Sequence, residues 1–425
     1  MPTKKTSHAL ARKADSLYHK TTLKNGIRVV SESLPYVRSA SLGVWANVGS
    51  RDESSKRNGI SHFLEHMVFK GTRRRSIRDI AQSLESLGGY LNAFTTKEQT
   101  CFYARVLDVH VPEALDVLTD LVLNATFQPK EVEKEKQVVI EELRNAEDDP
   151  EDIIHDYFEK ALIPSHSLGN PIIGTEENLR HFRRSDLQEH VAQHYLPGNI
   201  VVAAAGNIDH RLLVRLAEKN LGRLKPSAVP PPRANGPRET GKPGRMEYEK
   251  PIQQSHVCLG TVGFSITHPD RYPLMVLNGL LGEGMSSRLY QVIRERYGFA
   301  YSVYSFVSLM SDTGVFGVYI GTDRKNVARS LDLVHHELET LRHRAVPLAE
   351  IDRAKSQIKG NVTLGLESMS NRMMRLGGTE LQLGEYIPTD VILRQIDSVT
   401  PESVRRVAHD LFDLGRFSTI VVKPA

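Results

Sequence analysis

Apolar residues recur along this chain in two rhythms, and the rhythm changes often enough to outline its elements. HKTTLKNGIRVVSES predicts a hairpin, with Asn25-Gly26 a strong two-residue turn signal between β-rich flanks. Ser41–Ser50 is an apolar run bounded by glycine and predicts a buried strand. In Ile60–Lys70 the spacing changes to that of a helix. A second helix follows, with Ser76 as N-cap, Asp79 in its first turn and Gly88 as C-cap. Tyr90–Thr96 and Cys101–Leu107 read as strands, HVPEALDVLTDLVLNATF as a helix entered through Pro112, and Lys130–Ala146 as a long helix. More helices run to about Tyr195, then a strand over Asn199–Ile208 and a short helix.

Residues 225–244, KPSAVPPPRANGPRETGKPG, have no periodicity and read as an extended linker. Beyond it the same order returns. His256–Phe264 is a strand, YPLMVLNGLLG and Gly284–Arg296 are helices, and Phe299–Ser308 and Thr313–Ile320 are strands. Val327–Arg344 and Leu348–Glu367 are helices, and FSTIVVKP is a closing strand. A strand–helix–strand–strand–helix–long helix plan therefore occurs twice, in halves too long for solenoid repeats. The expected fold class is α+β, as two homologous α+β domains joined by the linker into a two-lobed protein, with a pocket expected at the domain interface. The expected boundaries are a disordered tail over 1–20, a first domain over 21–224, the linker over 225–244 and a second domain over 245–425.

Composition narrows the class. Hydrophobic residues are 40% and charged residues 25% of 425, which suits a globular chain rather than a disordered one. No apolar run is long enough to span a bilayer, so no membrane association is expected. The net charge of +4 is mild and gives no reason to expect nucleic acid. Cys101 and Cys258 are too few and too far apart for a disulfide framework or a cysteine metal site, and they read as buried apolar residues in a reducing compartment. The basic N-terminus lacks a secretory apolar segment. The cytosol is the expected location, with import into an organelle as the alternative.

The chemistry concentrates in His62-Phe63-Leu64-Glu65-His66. Residues four apart share a helix face, so His62 and His66 can offer two imidazoles to one metal ion, with Glu65 beside them to take a proton from water. Chance supplies on the order of 0.04 such matches in a chain this rich in histidine, so the motif is informative. Ile60, Phe63, Leu64, Met67 and Phe69 make much of the helix apolar, and buried imidazoles need partners. A catalytic zinc takes three protein ligands. Glu135, Glu141 and Glu142 on the long helix are the candidates for the third. Glu135 and Glu142 share a face, and spacing alone does not choose between Glu141 and Glu142.

HFLEHMVFKGT, LGGYLNAFTTKEQT, EKQVVIEEL and SSRLYQVIRERYGFAYS, in this order, resemble the inverzincin peptidases of the insulinase/pitrilysin (M16) family. The resemblance is closest to bacterial processing-peptidase-like proteins and the mitochondrial processing peptidase β-subunit, and it covers nearly the whole chain from about residue 21. It implies a Zn2+ held by His62, His66 and Glu142, the last being the glutamate at the family's spacing from the motif. It implies Glu65 as the general base toward zinc-bound water and Glu135 as a carboxylate supporting the site from behind. It implies that LNAFT is an edge strand on which substrate adds as a further strand, with Asn92 and Ala93 at its backbone. Arg294 and Tyr301 match a pair that reaches the substrate and its scissile carbonyl, so both are expected to be catalytic.

Aligned with the first half, the second carries Ser287, Tyr290 and Gln291 at the positions of His62, Glu65 and His66, and Ala354 and Asn361 at those of Glu135 and Glu142. No metal set is left there. The expected function is a zinc-dependent endopeptidase that cleaves extended or unfolded peptides, acting as a homodimer. The alternative is a non-catalytic or partner-dependent subunit of a processing-peptidase-like or bc1 core-like assembly. The other histidines, among them His155, His166 and His194, read as packing or capping residues.

Overall fold

In the computed structural model of the chain, residues 17–226, 233, 236, 237 and 240–425 are described. The first strands are β1 (Tyr18–Thr22), β2 (Arg28–Ser33) and β3 (Ser39–Ala46). Helices α1 (Ile60–Val68) and α2 (Ile77–Glu85) lead to the hairpin of β4 (Tyr90–Thr95) and β5 (Thr100–Leu107). Then come α3 (Val111–Asn124), α4 (Pro129–Asp148), α5 (Pro150–Leu162), α6 (Glu176–His181), α7 (Arg184–His194), β6 (Ile200–Gly206) and α8 (His210–Leu221). The later part holds β7 (Gly244–Lys250), β8 (Ser255–Gly263), α9 (Arg271–Gly282), β9 (Ala300–Leu309) and β10 (Gly314–Thr322). It ends with α10 (Val327–His343), α11 (Leu348–Gly365), α12 (Met369–Leu383), α13 (Thr389–Asp397), α14 (Pro401–Leu411) and β11 (Ser418–Pro424).

The fold class is α+β, and the repeat is visible in the sheets. The first sheet has the order β1-β2-β6-β3-β5-β4 and the second β7-β11-β8-β10-β9. In the first, β2 runs parallel to β6, and the β6–β3, β3–β5 and β5–β4 pairs are antiparallel. In the second, β7 runs parallel to β11, and β11–β8, β8–β10 and β10–β9 are antiparallel. The two sheets thus share one topology, with β1 added at one edge of the first. The strands β4 and β9 are equivalent open edges.

The central strands of each sheet are buried on both faces, and this decides where the chain must go. Along β6, Ile200, Val202 and Ala204 enter one core with α1 and α3, while Val201, Ala203 and Ala205 enter another with Trp45, Met373 and Leu376. This is the period of two expected of a strand covered on both sides. The second face of this sheet is covered by α12, whose Met373 and Leu376 are almost fully buried. The second sheet is covered likewise by α5, which places Ile154, Phe158 and Leu162 against Cys258, Val315, Tyr319 and Ile420.

The compact units therefore do not coincide with the stretches on either side of the linker. One comprises Met1–Leu143, Pro171–Ala234 and Leu364–Asp390, and the other Arg144–Asn170, Asn235–Thr363 and Val391–Ala425. Each half of the chain gives a helix to the other unit. The tail expected over 1–20 lies outside the described residues as far as residue 16, and its last positions belong to β1. Within the linker region, Arg233 pairs with Asp52 at 3.1 Å and β7 opens at Gly244. Two expected elements differ in detail. The segment Tyr290–Arg296 is a π-helical turn rather than α-helix. The loop of the first hairpin spans residues 23–27, with Gly26 at φ 100°.

Candidate metal centre

Helix α1 has one buried face, formed by Ile60, Phe63, Leu64, Met67 and Val68, which packs into the core of the first sheet. That packing turns His62, Glu65 and His66 the other way. Helix α4 buries Val132, Glu135, Val139 and Leu143 and brings Glu142 to the same place. Donor atoms of His62, His66 and Glu142 lie within 4.8 Å of one another. His62 Nε2 is 3.6 Å from Glu142 Oε1, and His66 Nε2 is 3.3 Å from Glu142 Oε2. Among the described residues this is the one group of three or more histidine, cysteine or carboxylate side chains so arranged. Glu141 is not in it.

Behind the three stands Glu135, only 4% exposed. Its carboxylate accepts from His66 Nδ1 at 3.0 Å and pairs with Lys70 Nζ at 2.8 Å. With Nδ1 bound in this way, His66 presents Nε2 to the open position, the arrangement that orients histidine ligands of metal ions. His62 Nδ1 is buried and has no hydrogen-bond partner, so the accessible polar atom of that ring is Nε2 as well. Two imidazoles and one carboxylate are a donor set that suits zinc and leaves a position open for water or substrate.

The electrostatics agree with a seat for a cation. Burial alone would lower the pKa of His66, but hydrogen bonds to Glu135 and Glu142 outweigh it and raise the value to about 9. Burial and the neighbouring His66 lower that of His62 to about 4. The hydrogen bond with His66 holds Glu142 below the usual carboxylate range. Burial works to raise Glu135, and its bonds to His66 and Lys70 outweigh this and lower it. A proton on His66 thus occupies ground that a divalent ion would otherwise take.

Glu65 lies between the two histidines in sequence and is held by β4. Thr95 Oγ1 donates to Glu65 Oε2 at 2.6 Å. Burial raises the pKa of Glu65, and the bond from Thr95 opposes that without cancelling it. Strand β4 is the sheet's open edge. Thr96 N–H donates to the Gln99 carbonyl at 2.8 Å and closes the β4–β5 hairpin. Counting back, Ala93 opposite Phe102 falls in a non-hydrogen-bonded pair, so its N–H and C=O face the open edge. Asn92 is exposed. Its Nδ2 donates to Tyr90 OH at 2.7 Å, and its Oδ1 accepts from Ala93 N–H at 2.9 Å.

Arg294 and Tyr301 belong to the other compact unit, where they meet each other. Arg294 Nη1 donates to the Tyr301 carbonyl at 2.8 Å, and its guanidinium lies over the rings of Tyr290 and Tyr301 at 5.1 and 5.3 Å. Tyr301 is 75% exposed at the start of the edge strand β9. Of the other histidines, His166 Nδ1 accepts from Leu168 N–H, His155 bonds Tyr304 OH, and the His194 ring lies tilted against that of His190, with centroids 4.7 Å apart. Sequence reading missed Thr95 and Lys70. Alternation along β4 would have put Thr95 on the face of Leu91 and Ala93, toward α1. Lys70, four residues after His66, had the helical spacing.

Residues 28–176 match the model of the insulinase family, peptidase family M16, and residues 181–358 match that of the peptidase M16 inactive domain. An uncharacterized zinc protease of Streptomyces coelicolor is 44% identical over 409 residues, covering 95% of this chain and 88% of that protein. One from Bacillus subtilis is 43% identical over 397 residues, covering 92% and 95%. The crystal structure of a protease from Helicobacter pylori, 24% identical, has the same fold with a TM-score of 0.90 over 96% of this chain and 99% of that one. The chain belongs to the M16 family of peptidases.

Proposed function

We propose that this protein is a zinc-dependent endopeptidase acting on extended or unfolded peptides. The observation that carries this reading is the convergence of His62, His66 and Glu142 within 4.8 Å, beside a half-buried Glu65. His62, His66 and Glu142 would hold the ion, and Glu135 would fix His66. Zinc bound there would polarise the scissile carbonyl and acidify the attacking water. Glu65 takes the proton of that water and returns it to the leaving amine. Its raised pKa suits both steps, because a base that is too acidic gives no driving force for proton transfer. The outward C=O of Ala93, and its N–H when Asn92 Oδ1 gives it up, offer a peptide backbone a place to add as a strand, which binds many sequences alike. Arg294 and Tyr301 are assigned to the substrate, the tyrosine hydroxyl toward developing charge on the carbonyl oxygen. We assign the working form to a homodimer in the bacterial cytoplasm.

The test is cleavage of a quenched fluorescent peptide library by the purified chain alone, with Glu65→Gln alongside and zinc measured in both. Wild type should cleave. The variant should hold the same zinc and lose about 10²- to 10⁴-fold in rate, the usual contribution of a positioned base. Zinc-loaded wild type without cleavage would instead favour a partner-dependent subunit. A chain that binds no zinc would sink the reading.

A further inference from the structure

Helix α1, which carries both histidines, has no side-chain cap of its own. Its N-cap residue is Gly59, at φ 98°. A Cβ there would lie 2.6 Å from the Ile173 carbonyl oxygen and 2.8 Å from Gly174 Cα, so the approach of that turn requires glycine. The free N–H groups of the first turn must then find an acceptor elsewhere. They find it in Glu53, a buried residue upstream in the chain. Its Oε2 accepts from Gly59 N–H at 2.8 Å and from Asn58 Nδ2 at 3.2 Å, and its Oε1 accepts from Ser61 N–H at 2.8 Å. Asn58 Nδ2 also donates to the Pro171 carbonyl at 2.9 Å. His62 follows Ser61 directly in the chain.

Two effects follow for His62. One rigid carboxylate pins residues 59 and 61, which sets the rotation of the first turn and so the direction in which the His62 side chain leaves it. The second effect is charge. A helix N-terminus carries about half a positive elementary charge, which opposes a cation held by a ligand in the first turn. An anion at that end offsets it. A neutral cap would satisfy the N–H groups without doing so. Burial pushes the Glu53 pKa up to about 7 against its four hydrogen bonds, so the site keeps an acid where the environment taxes the charge. Ser61 Oγ also lies 3.3 Å from His190 Nε2, but Ser61 is fully buried and His190 nearly so, which leaves no access for a substrate there.

We infer that Glu53 is a positioning residue of the metal centre: its carboxylate fixes the first turn of α1, aims the His62 imidazole and balances the charge of that helix end. The inference rests on the zinc reading of His62, His66 and Glu142. Its test is the zinc dissociation constant of the full chain, by chelator competition, with circular dichroism and thermal melts on the same samples. Glu53→Gln should keep the native spectrum and bind zinc about 10- to 100-fold more weakly, the usual loss when a residue that orients a ligand is changed. Glu53→Asp, which keeps the charge on a shorter arm, should fall in between. Glu380→Gln is the control: that carboxylate is 2% exposed and pairs with Lys20 and Arg28 on other elements. It should lower the melting temperature and leave zinc affinity alone. Zinc binding by Glu53→Gln within about twofold of wild type overturns the inference, as does an equal loss in Glu380→Gln. If Glu53→Gln does not fold, Glu53→Asp decides: weaker zinc with a native melt supports the role, and unchanged zinc overturns it. Wild type that binds zinc beside an unaffected Glu53 variant sinks this role alone, whereas wild type without zinc sinks the metal reading with it.

Discussion

Replacing Glu135 with glutamine should uncouple the metal centre from its proton. In the zinc-free protein His66 titrates near pH 9, against an ordinary value of 6.5, because Glu135 and Glu142 both hold its charged form. A raised folded-state pKa stabilises the fold fully below about pH 6.5, and that contribution is lost as pH rises through 9. Each pH unit of displacement corresponds to about 1.4 kcal/mol, so the His66 proton holds the zinc-free fold by about 3 kcal/mol. Two carboxylates share this, and Glu135 accounts for about half, the difference between a charge-assisted and a neutral hydrogen bond. Glutamine can give its oxygen to His66 Nδ1, but its amide then faces Lys70, which is 27% exposed and can turn to water. The zinc-free Glu135→Gln variant should therefore lose about half of the drop in stability between pH 6.5 and 9. Its zinc affinity at pH 9, where the His66 proton competes little, should fall about tenfold because the His66 ligand becomes less basic; at pH 7.5 weaker competition from that proton offsets the loss. The assay is denaturant unfolding of the zinc-free proteins at pH 6, 7.5 and 9, with chelator competition at pH 7.5 and 9. Identical pH profiles together with identical zinc affinities would refute the argument, since the Glu135–His66 bond would then carry no charge energy.

Two further outcomes follow. Thr95→Val removes the donor that restrains the Glu65 pKa, so the acid limb of kcat/KM against pH should move to higher pH while zinc content stays unchanged; an unmoved limb would count against Glu65 as the base. Gly377→Ala in α12 would place a Cβ 2.2 Å from Trp45 Nε1, and overpacking of about 1–3 kcal/mol should outweigh the gain of about 1 kcal/mol in helix propensity; Trp45 is the only tryptophan, so its emission should shift as the melting temperature falls, and a more stable variant with unchanged emission would show that the indole can yield.

Much of the first unit was legible because its signals are local. The capping box of Ser76 and Asp79 marks the start of α2, and Pro112 lies in the first turn of α3, as read from sequence. The repeat was legible because equivalent strands keep equivalent alternation. The π-helical turn over Tyr290–Arg296 was read as ordinary helix, since both share nearly the same apolar spacing. The helices α12 to α14 were passed over. MSNRMMRLGGTELQL carries two adjacent glycines, poor helix formers, in its middle, which obscures the helical spacing of Met369, Met373 and Leu376.

The sequence by itself determined the chemistry that one helix can hold. Four-residue spacing puts His62 and His66 on one side of α1, and the apolar residues between them commit the other side to the core. Helical geometry alone relates Glu135 to Glu142, and the family resemblance, not spacing, separated Glu142 from Glu141. Only the tertiary structure decided what surrounds these side chains. Thr95 reaches Glu65 across a strand and helix that are distant in sequence, and Glu53 closes a helix end that glycine leaves open. The exchange of α5 and α12 was likewise decided in three dimensions. A sheet with two apolar faces must be covered twice, and which segment covers the second face depends on the fit of surfaces far apart in the chain, as between Gly377 and Trp45.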